Sequence, residues 1–319
     1  MGSHRAGPTK GAGQLRMTAA TVALWLLAAV VSEAASTDAI SPAASERVGR
    51  VLAGRRVETS AKWPGGPSRS LRDLFRDTVA AVPLVITKDS IGSSVVVQVD
   101  RQSGNGLLLT NHHVVASPFF DESKSRSFAV LVFYQPSLAT TVFDAPRVAQ
   151  CLATSESSPF CSTLRSATRV GVVVATDPAR DLALLVIRGV PETVRAVPSG
   201  TVDVVRPGDD VVVIGHPLGL LWSITTGIVS GIRSNYQISD SPIESTVVQT
   251  QTPVNPGNSG GPLLTSNGNL IGIIFGSPTV RASRQNPSAD VRVAAPGLNL
   301  AVAVNEIQAF MSRYIPNSR

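Results

Sequence analysis

From Ile91 onward, apolar residues fall in short β-branched runs cut by Gly, Pro, Asn and Asp. Runs of this length with such punctuation predict strands. The runs are 95–99, 107–110, 129–134, 170–175, 182–187, 211–214, 224–232, 247–250, 270–275 and 298–304. Between them no helical pattern is long enough for a βαβ unit. The expected fold class is all-β, a barrel or sandwich, with a short helix at each end. Leu71, Leu74, Phe75, Val79 and Val82 share one helical face, Ser70 is placed to cap it, and Asp73 is its capping-box partner. At the other end, Asn305 is expected to cap a closing helix that turns Ile307, Phe310 and Met311 inward.

Two stretches break this pattern. Residues 1–16 carry Arg5, Lys10 and Arg16, residues 17–31 are nearly all apolar, and Ser32-Glu33-Ala34 follows with small residues at a cleavage-like spacing. Residues 1–34 therefore read as a secretory signal peptide; left uncleaved, they would act as an N-terminal membrane anchor. Residues 35–69 are rich in Ser, Ala, Arg, Pro and Gly without periodicity, which predicts a flexible spacer. The segment 117–168 holds several Ser/Pro clusters and reads as a long loop.

Composition narrows the classes. A chain of 319 residues, 43% hydrophobic, can bury a core in one or two domains. Its net charge of +6 is scattered, with no basic run and no aromatic interleaving, which argues against nucleic-acid binding. The two cysteines, Cys151 and Cys161, lie close together in a polar segment, and in an exported chain they are expected to form a disulfide. No second cysteine pair or histidine cluster accompanies them, so no metal site is expected.

Candidate chemistry centres on Asn255-Pro256-Gly257-Asn258-Ser259-Gly260-Gly261-Pro262-Leu263-Leu264. A serine among glycines lets several backbone N–H groups converge beside one hydroxyl, as an oxyanion hole requires. Serine chemistry also needs a base and an orienting acid. Of the four histidines, His4 lies in the leader, and His112, His113 and His216 remain as candidate bases. Two aspartates, Asp177 and Asp181, stand at the mouth of the apolar run 182–187. Asp177 precedes proline at a turn start, which is ordinary turn chemistry, whereas a carboxylate at Asp181 next to a buried strand needs a partner.

These segments, Thr110-Asn111-His112-His113-Val114-Val115, Asp181-Leu182-Ala183-Leu184-Leu185-Val186-Ile187 and the glycine-rich serine turn, resemble the Deg/HtrA family of trypsin-like serine proteases. Gly215-His216-Pro217-Leu218-Gly219, Thr226-Gly227-Ile228-Val229-Ser230 and Leu270-Ile271-Gly272-Ile273 match three further family segments in order, so the resemblance runs from about residue 79 to 311. It implies two six-stranded antiparallel barrels within a protease domain at 70–315, divided near 191–207, with the site between them. It also implies His113 as base, Asp181 as orienting acid, Ser259 as nucleophile, and an oxyanion turn of Gly257, Asn258 and Ser259. His112 is then a loop neighbour and His216 a turn residue. No cofactor is implied. Only eight residues follow Met311, so the family's C-terminal PDZ domain is not expected. Two departures stand out: Gly92-Ser93-Ser94 replaces the usual Gly-Ser-Gly, and Pro253 stiffens the loop before the nucleophile.

In folds of this kind the primary specificity pocket would be built from Pro253 at its base and Phe275, Gly276 and Ser277 on its wall. None of these is acidic, so a small or medium aliphatic side chain is expected there. The resemblance implies an exported, periplasmic or secreted, endopeptidase acting on unfolded or damaged proteins, assembled as a homotrimer. The alternatives are a protease-fold chaperone that binds misfolded chains and a processing protease with one narrow target.

Overall fold

Ser70 starts the first helix, α1 (Leu71–Thr78), by accepting the Asp73 N–H at 3.1 Å. This is the first element in the computed structural model of the chain, which describes residues 69–122, 125–238, 242–277, 279–281, 292–294 and 297–315. The expected signal peptide at 1–34 and nearly all of the expected spacer lie outside the described residues.

All ten strand runs expected from the sequence are strands, joined by short ones the pattern did not single out. The N-terminal half holds β1 (Leu84–Ile86), β2 (Ile91–Ser93), β3 (Val95–Asp100), β4 (Asn105–Thr110), β5 (Phe119–Asp121), β6 (Arg126–Val132), β7 (Thr168–Asp177) and β8 (Leu182–Arg188). They form one antiparallel sheet in the order β2-β1-β6-β7-β8-β4-β3, with β5 on β6. The C-terminal half holds β9 (Asp210–Gly215), β10 (Ser223–Gln237), β11 (Glu244–Thr250), β12 (Pro262–Thr265), β13 (Leu270–Gly276) and β16 (Asn299–Ala303). These close into a six-stranded barrel in the order β10-β11-β16-β13-β12-β9. A separate ribbon pairs β14 (Thr279–Arg281) with β15 (Arg292–Ala294).

The architecture is the expected trypsin-like pair of β-barrels. In the first, β2 and β3 follow each other across Ser94, and this bent segment pairs with β1 at one end and β4 at the other, so that β2/β3, β1, β6, β7, β8 and β4 make six staves. Where β2 passes into β3 the backbone also reaches outside these ladders. Ser93 N–H donates to the Ser259 carbonyl at 2.8 Å, and Ser94 N–H donates to the Pro83 carbonyl at 3.1 Å. The Ser93 bond thereby ties the first barrel to the serine turn of the second. Ser94, which replaces a family glycine, is not among the positive-φ residues, so the position does not require glycine.

The segment 117–168 is not the loop the sequence suggested. Beyond β5 and β6 it folds as α2 (Pro136–Ala139), α3 (Ala145–Ala153) and α4 (Pro159–Ala167). Asp144 caps α3 by accepting the Arg147 N–H at 3.1 Å, Ser158 caps α4 by accepting the Cys161 N–H at 3.3 Å, and each helix has proline in its first turn. Helices this short carry too few turns to show a 3.6-residue period, so only their start signals were readable. Cys151 on α3 and Cys161 on α4 are joined by a disulfide, Cα to Cα 4.8 Å. The last helix, α5 (Val304–Ser312), buries Ile307 and Phe310. Ala303, not Asn305, stands at its cap, and the Asn305 amide reaches Thr246 instead at 3.3 Å.

Candidate active site

His113 opens a single 3-10 turn, His113–Val115, that follows directly from β4. The turn buries Val114 and Val115 and leaves the His113 ring about half exposed, at 47%. Asp181 ends the tight turn between β7 and β8 with φ +52°, a left-handed conformation that aspartate tolerates better than most residues. This turn brings its carboxylate to the histidine. The His113 ring donates through Nδ1–H to Asp181 Oδ2 at 2.6 Å, and the His113 backbone N–H donates to Oδ1 at 2.8 Å. Asn111 fastens the same turn by donating from Nδ2 to the Asp181 carbonyl at 2.9 Å. The Asp181 side chain is 8% exposed, so both of its oxygens are matched by donors in a place where an unmatched charge would be costly.

The other candidates are used differently. Asp177 accepts the Arg180 N–H at 3.1 Å and pairs with the Arg180 guanidinium at 3.2 Å. Arg180 also reaches Glu306 on α5 at 2.9 Å, a bond that raises the pKa of the guanidinium. Burial by itself would raise the Glu306 pKa, but the Thr246 N–H and Arg180 outweigh it and hold the carboxyl below its ordinary value. His112 is half-buried beside the turn.

Ser259 lies on the turn before β12. Two glycines there are forced. Gly257 has φ +101° and Gly260 φ +84°, and a Cβ at either would run into backbone, the His216 carbonyl and the Ser93 carbonyl respectively. Gly92 is the spacer where the two halves meet: a Cβ there would lie 2.7 Å from Val114, next to His113, and 3.0 Å from the Ser259 carbonyl. The Ser259 hydroxyl is half-buried and has no hydrogen-bond partner among the described residues.

Peptide orientations in this turn are set one by one. The Pro256 carbonyl accepts the Leu218 N–H at 2.7 Å, and the Asn258 carbonyl accepts the Gly261 N–H at 2.9 Å. In a trans peptide the N–H points opposite to the C=O. The N–H groups of Gly257 and Ser259 are thus turned away from these anchors, and neither has a hydrogen-bond partner among the described residues. Asn258, expected with them in the oxyanion turn, supplies no free backbone donor, because its N–H is bonded to the Asn255 carbonyl at 3.0 Å. Its role is that of a buried spacer beside Gly215.

Of the expected pocket residues, Pro253 is exposed, with its carbonyl accepting from Thr225 Oγ1 at 3.1 Å, and Phe275 tilts against Tyr236. Gly276 and Ser277 are half-buried. A residue not anticipated, the buried Asn299 on β16, links the two sides: its Nδ2 donates to the Thr252 carbonyl at 2.7 Å and its Oδ1 accepts from Ser277. His216, expected as a turn residue, is wholly buried. No string of residues around Asn299 signalled it, and the segment around His216 marked only a turn; the partners of both lie far away in sequence.

A family model described as a trypsin-like peptidase domain matches residues 92–273. Protease Do-like 1, chloroplastic, of Arabidopsis thaliana is 43% identical over 103 residues, covering 32% of this chain and 23% of its own length. Serine protease PepD of Mycobacterium tuberculosis is 33% identical over 151 residues, covering 46% of this chain and 32% of its own. The chain thus spans about a quarter to a third of these curated relatives. A solved structure of the HtrA-type protease AlgW with tripeptide matches with TM-score 0.52 at 24% identity, over 79% of this chain and 65% of that one, a likeness of fold. No helix among the described residues is long and apolar enough to cross a membrane.

Proposed function

Because the chain belongs to the trypsin-like peptidases and is a serine endopeptidase of Deg/HtrA type, we propose that it is exported and cleaves unfolded or damaged proteins through an acyl-enzyme on Ser259. The observation that carries this reading is the 2.6 Å bond from His113 to Asp181 beside a serine turn with two unbonded N–H groups. With Nδ1–H donated to Asp181, the His113 Nε2 lone pair is the base. Ser259 Oγ attacks the scissile carbonyl carbon while its proton passes to His113 Nε2. The carbonyl oxygen becomes an oxyanion held by the N–H groups of Gly257 and Ser259; one such donor typically lowers the barrier by about 3–4 kcal/mol. His113 then protonates the leaving amine, and water repeats the sequence on the ester. The bond from serine to histidine is commonly long in free enzymes and closes around substrate, which accords with the unbonded Ser259 hydroxyl.

Export rests on the leader at 1–34, and N-terminal sequencing of the mature protein from its native host tests it. The catalytic reading is tested with a fluorophosphonate probe followed by peptide mapping, and with casein. Labelling of Ser259 and casein turnover lost in Ser259→Ala are expected. Binding of unfolded casein with no turnover by the wild type would replace this reading with a chaperone. A single cut in one protein with casein left whole would replace it with a processing protease. Assembly is proposed as a homotrimer, and sedimentation showing only monomer at micromolar concentration would overturn that.

A further inference from the structure

Ser93 sits behind the serine turn, fully buried. Its N–H donates to the Ser259 carbonyl at 2.8 Å, and its own carbonyl accepts from Thr110 Oγ1 at 2.7 Å. Its hydroxyl lies 2.7 Å from the Gly257 carbonyl and 2.9 Å from His216 Nδ1. A hydroxyl has one proton, and a carbonyl can only accept. The proton therefore goes to Gly257, and the hydroxyl oxygen must accept from His216. That assigns the His216 proton to Nδ1 and leaves Nε2 bare; Nε2 is buried and has no partner among the described residues.

The relay runs one way, from His216 Nδ1–H to the Ser93 hydroxyl to the Gly257 carbonyl. It holds the peptide between Gly257 and Asn258, the link between the two peptides that carry the free N–H groups. The imidazole is itself fixed. Trp222 meets it edge to face, with centroids 5.3 Å apart, and Trp222 is pinned by its Nε1–H to the Val82 carbonyl at 2.9 Å. The His216 backbone also backs the turn, since its carbonyl occupies the space a Cβ on Gly257 would need.

We infer that His216 is a positioning residue for the oxyanion donors: its Nδ1–H orients the Ser93 hydroxyl, which fixes the Gly257 peptide. The inference rests on the proposed catalytic reading, and it separates His216 from a mere turn residue. Burial keeps the ring neutral, lowering its pKa to about 3, so the relay is intact throughout the neutral range.

The test compares His216→Leu, His216→Asn and Ser93→Ala in the full chain. The readouts are kcat and KM on a peptide substrate and the affinity of the matching peptide aldehyde, whose adduct carries the oxyanion. In His216→Leu and Ser93→Ala, kcat is expected to fall about 10–100-fold with KM within about threefold, and aldehyde affinity to fall in parallel. Asparagine places an amide N–H the same number of bonds from Cα as Nδ1, so His216→Asn recovers most of the lost kcat. A His216→Leu variant with kcat within about twofold of wild type, a loss confined to KM, or an asparagine variant no better than leucine would overturn the inference. If His216→Leu fails to fold, Ser93→Ala decides, since it removes a single oxygen. Fluorophosphonate labelling of the wild type comes first. An unlabelled wild type overturns the catalytic reading and this inference with it; a labelled wild type with unaffected variants overturns the relay alone.

Discussion

Asp181 grips His113 at two points, taking the ring Nδ1–H on one carboxylate oxygen at 2.6 Å and the backbone N–H on the other at 2.8 Å. One side chain thereby sets both the tautomer of the ring and the position of the turn that carries it.

That pair of hydrogen bonds predicts the effect of Asp181→Asn. An amide can still accept the backbone N–H on Oδ1, but its NH₂ then faces Nδ1 and forces the proton onto Nε2. The fold should survive while kcat falls by about 10⁴. Steady-state kinetics beside a thermal melt checks this. A variant retaining a tenth of wild-type kcat would show that Asp181 does not orient the base. By the same reading, His113→Ala abolishes turnover while His112→Ala keeps a substantial part.

His216 makes the fold sensitive to acid. Burial lowers its pKa from 6.5 to about 3, so the folded chain keeps it neutral while the unfolded chain protonates it below 6.5. The stability it contributes is complete above 6.5 and is lost as pH falls from 6.5 towards 3, by about 1.4 kcal/mol per unit at most. At pH 5 the loss should be about 2 kcal/mol. Urea unfolding across this range should show a flatter profile for His216→Asn than for wild type. Parallel profiles would mean that the ring is not buried neutral.

The disulfide clamps the helical insertion. Cys151 and Cys161 are ten residues apart, and closing so short a loop restricts the unfolded chain by about 2–3 kcal/mol. Replacing both cysteines with serine should lower stability by roughly that amount, because both are buried. The insertion also touches the site: the Phe143 N–H donates to the Gly219 carbonyl at 2.8 Å, and the next residue towards the site, Leu218, holds the Pro256 carbonyl. A melt with and without reductant measures the loss; an unchanged Tm would show that the bridge carries no stability.

Cleavage preference should follow the uncharged pocket. Pro253, Phe275, Gly276, Ser277 and Asn299 offer no carboxylate for a buried lysine or arginine, whose unpaired charge would be costly. Cuts after Val, Ala, Ile or Leu are expected, graded by about 10–200-fold per methylene. Mass spectrometry of a digested denatured protein measures the profile. Dominant cutting after Arg or Lys would show that the pocket lies elsewhere.

The candidate residues of the site were legible in the chain because each sits in a short string whose chemistry is local. A glycine-flanked serine, a histidine at the end of an apolar strand and an aspartate at the mouth of another carry their own signals. The ten strand runs were legible for the same reason, since β-branched runs between turn residues need no distant partner to be recognised. Where hydrogen bonds and burial depend on residues far apart, tertiary structure decided. His216 and Ser93 are separated by 123 positions, and Ser93 and Gly257 by 164, so no local pattern could reveal their relay. Asn258 was expected in the oxyanion turn, and the fold of that turn gives its N–H to the Asn255 carbonyl. The bond from the Ser93 N–H to the Ser259 carbonyl joins the two halves, and such a contact exists only once both are folded.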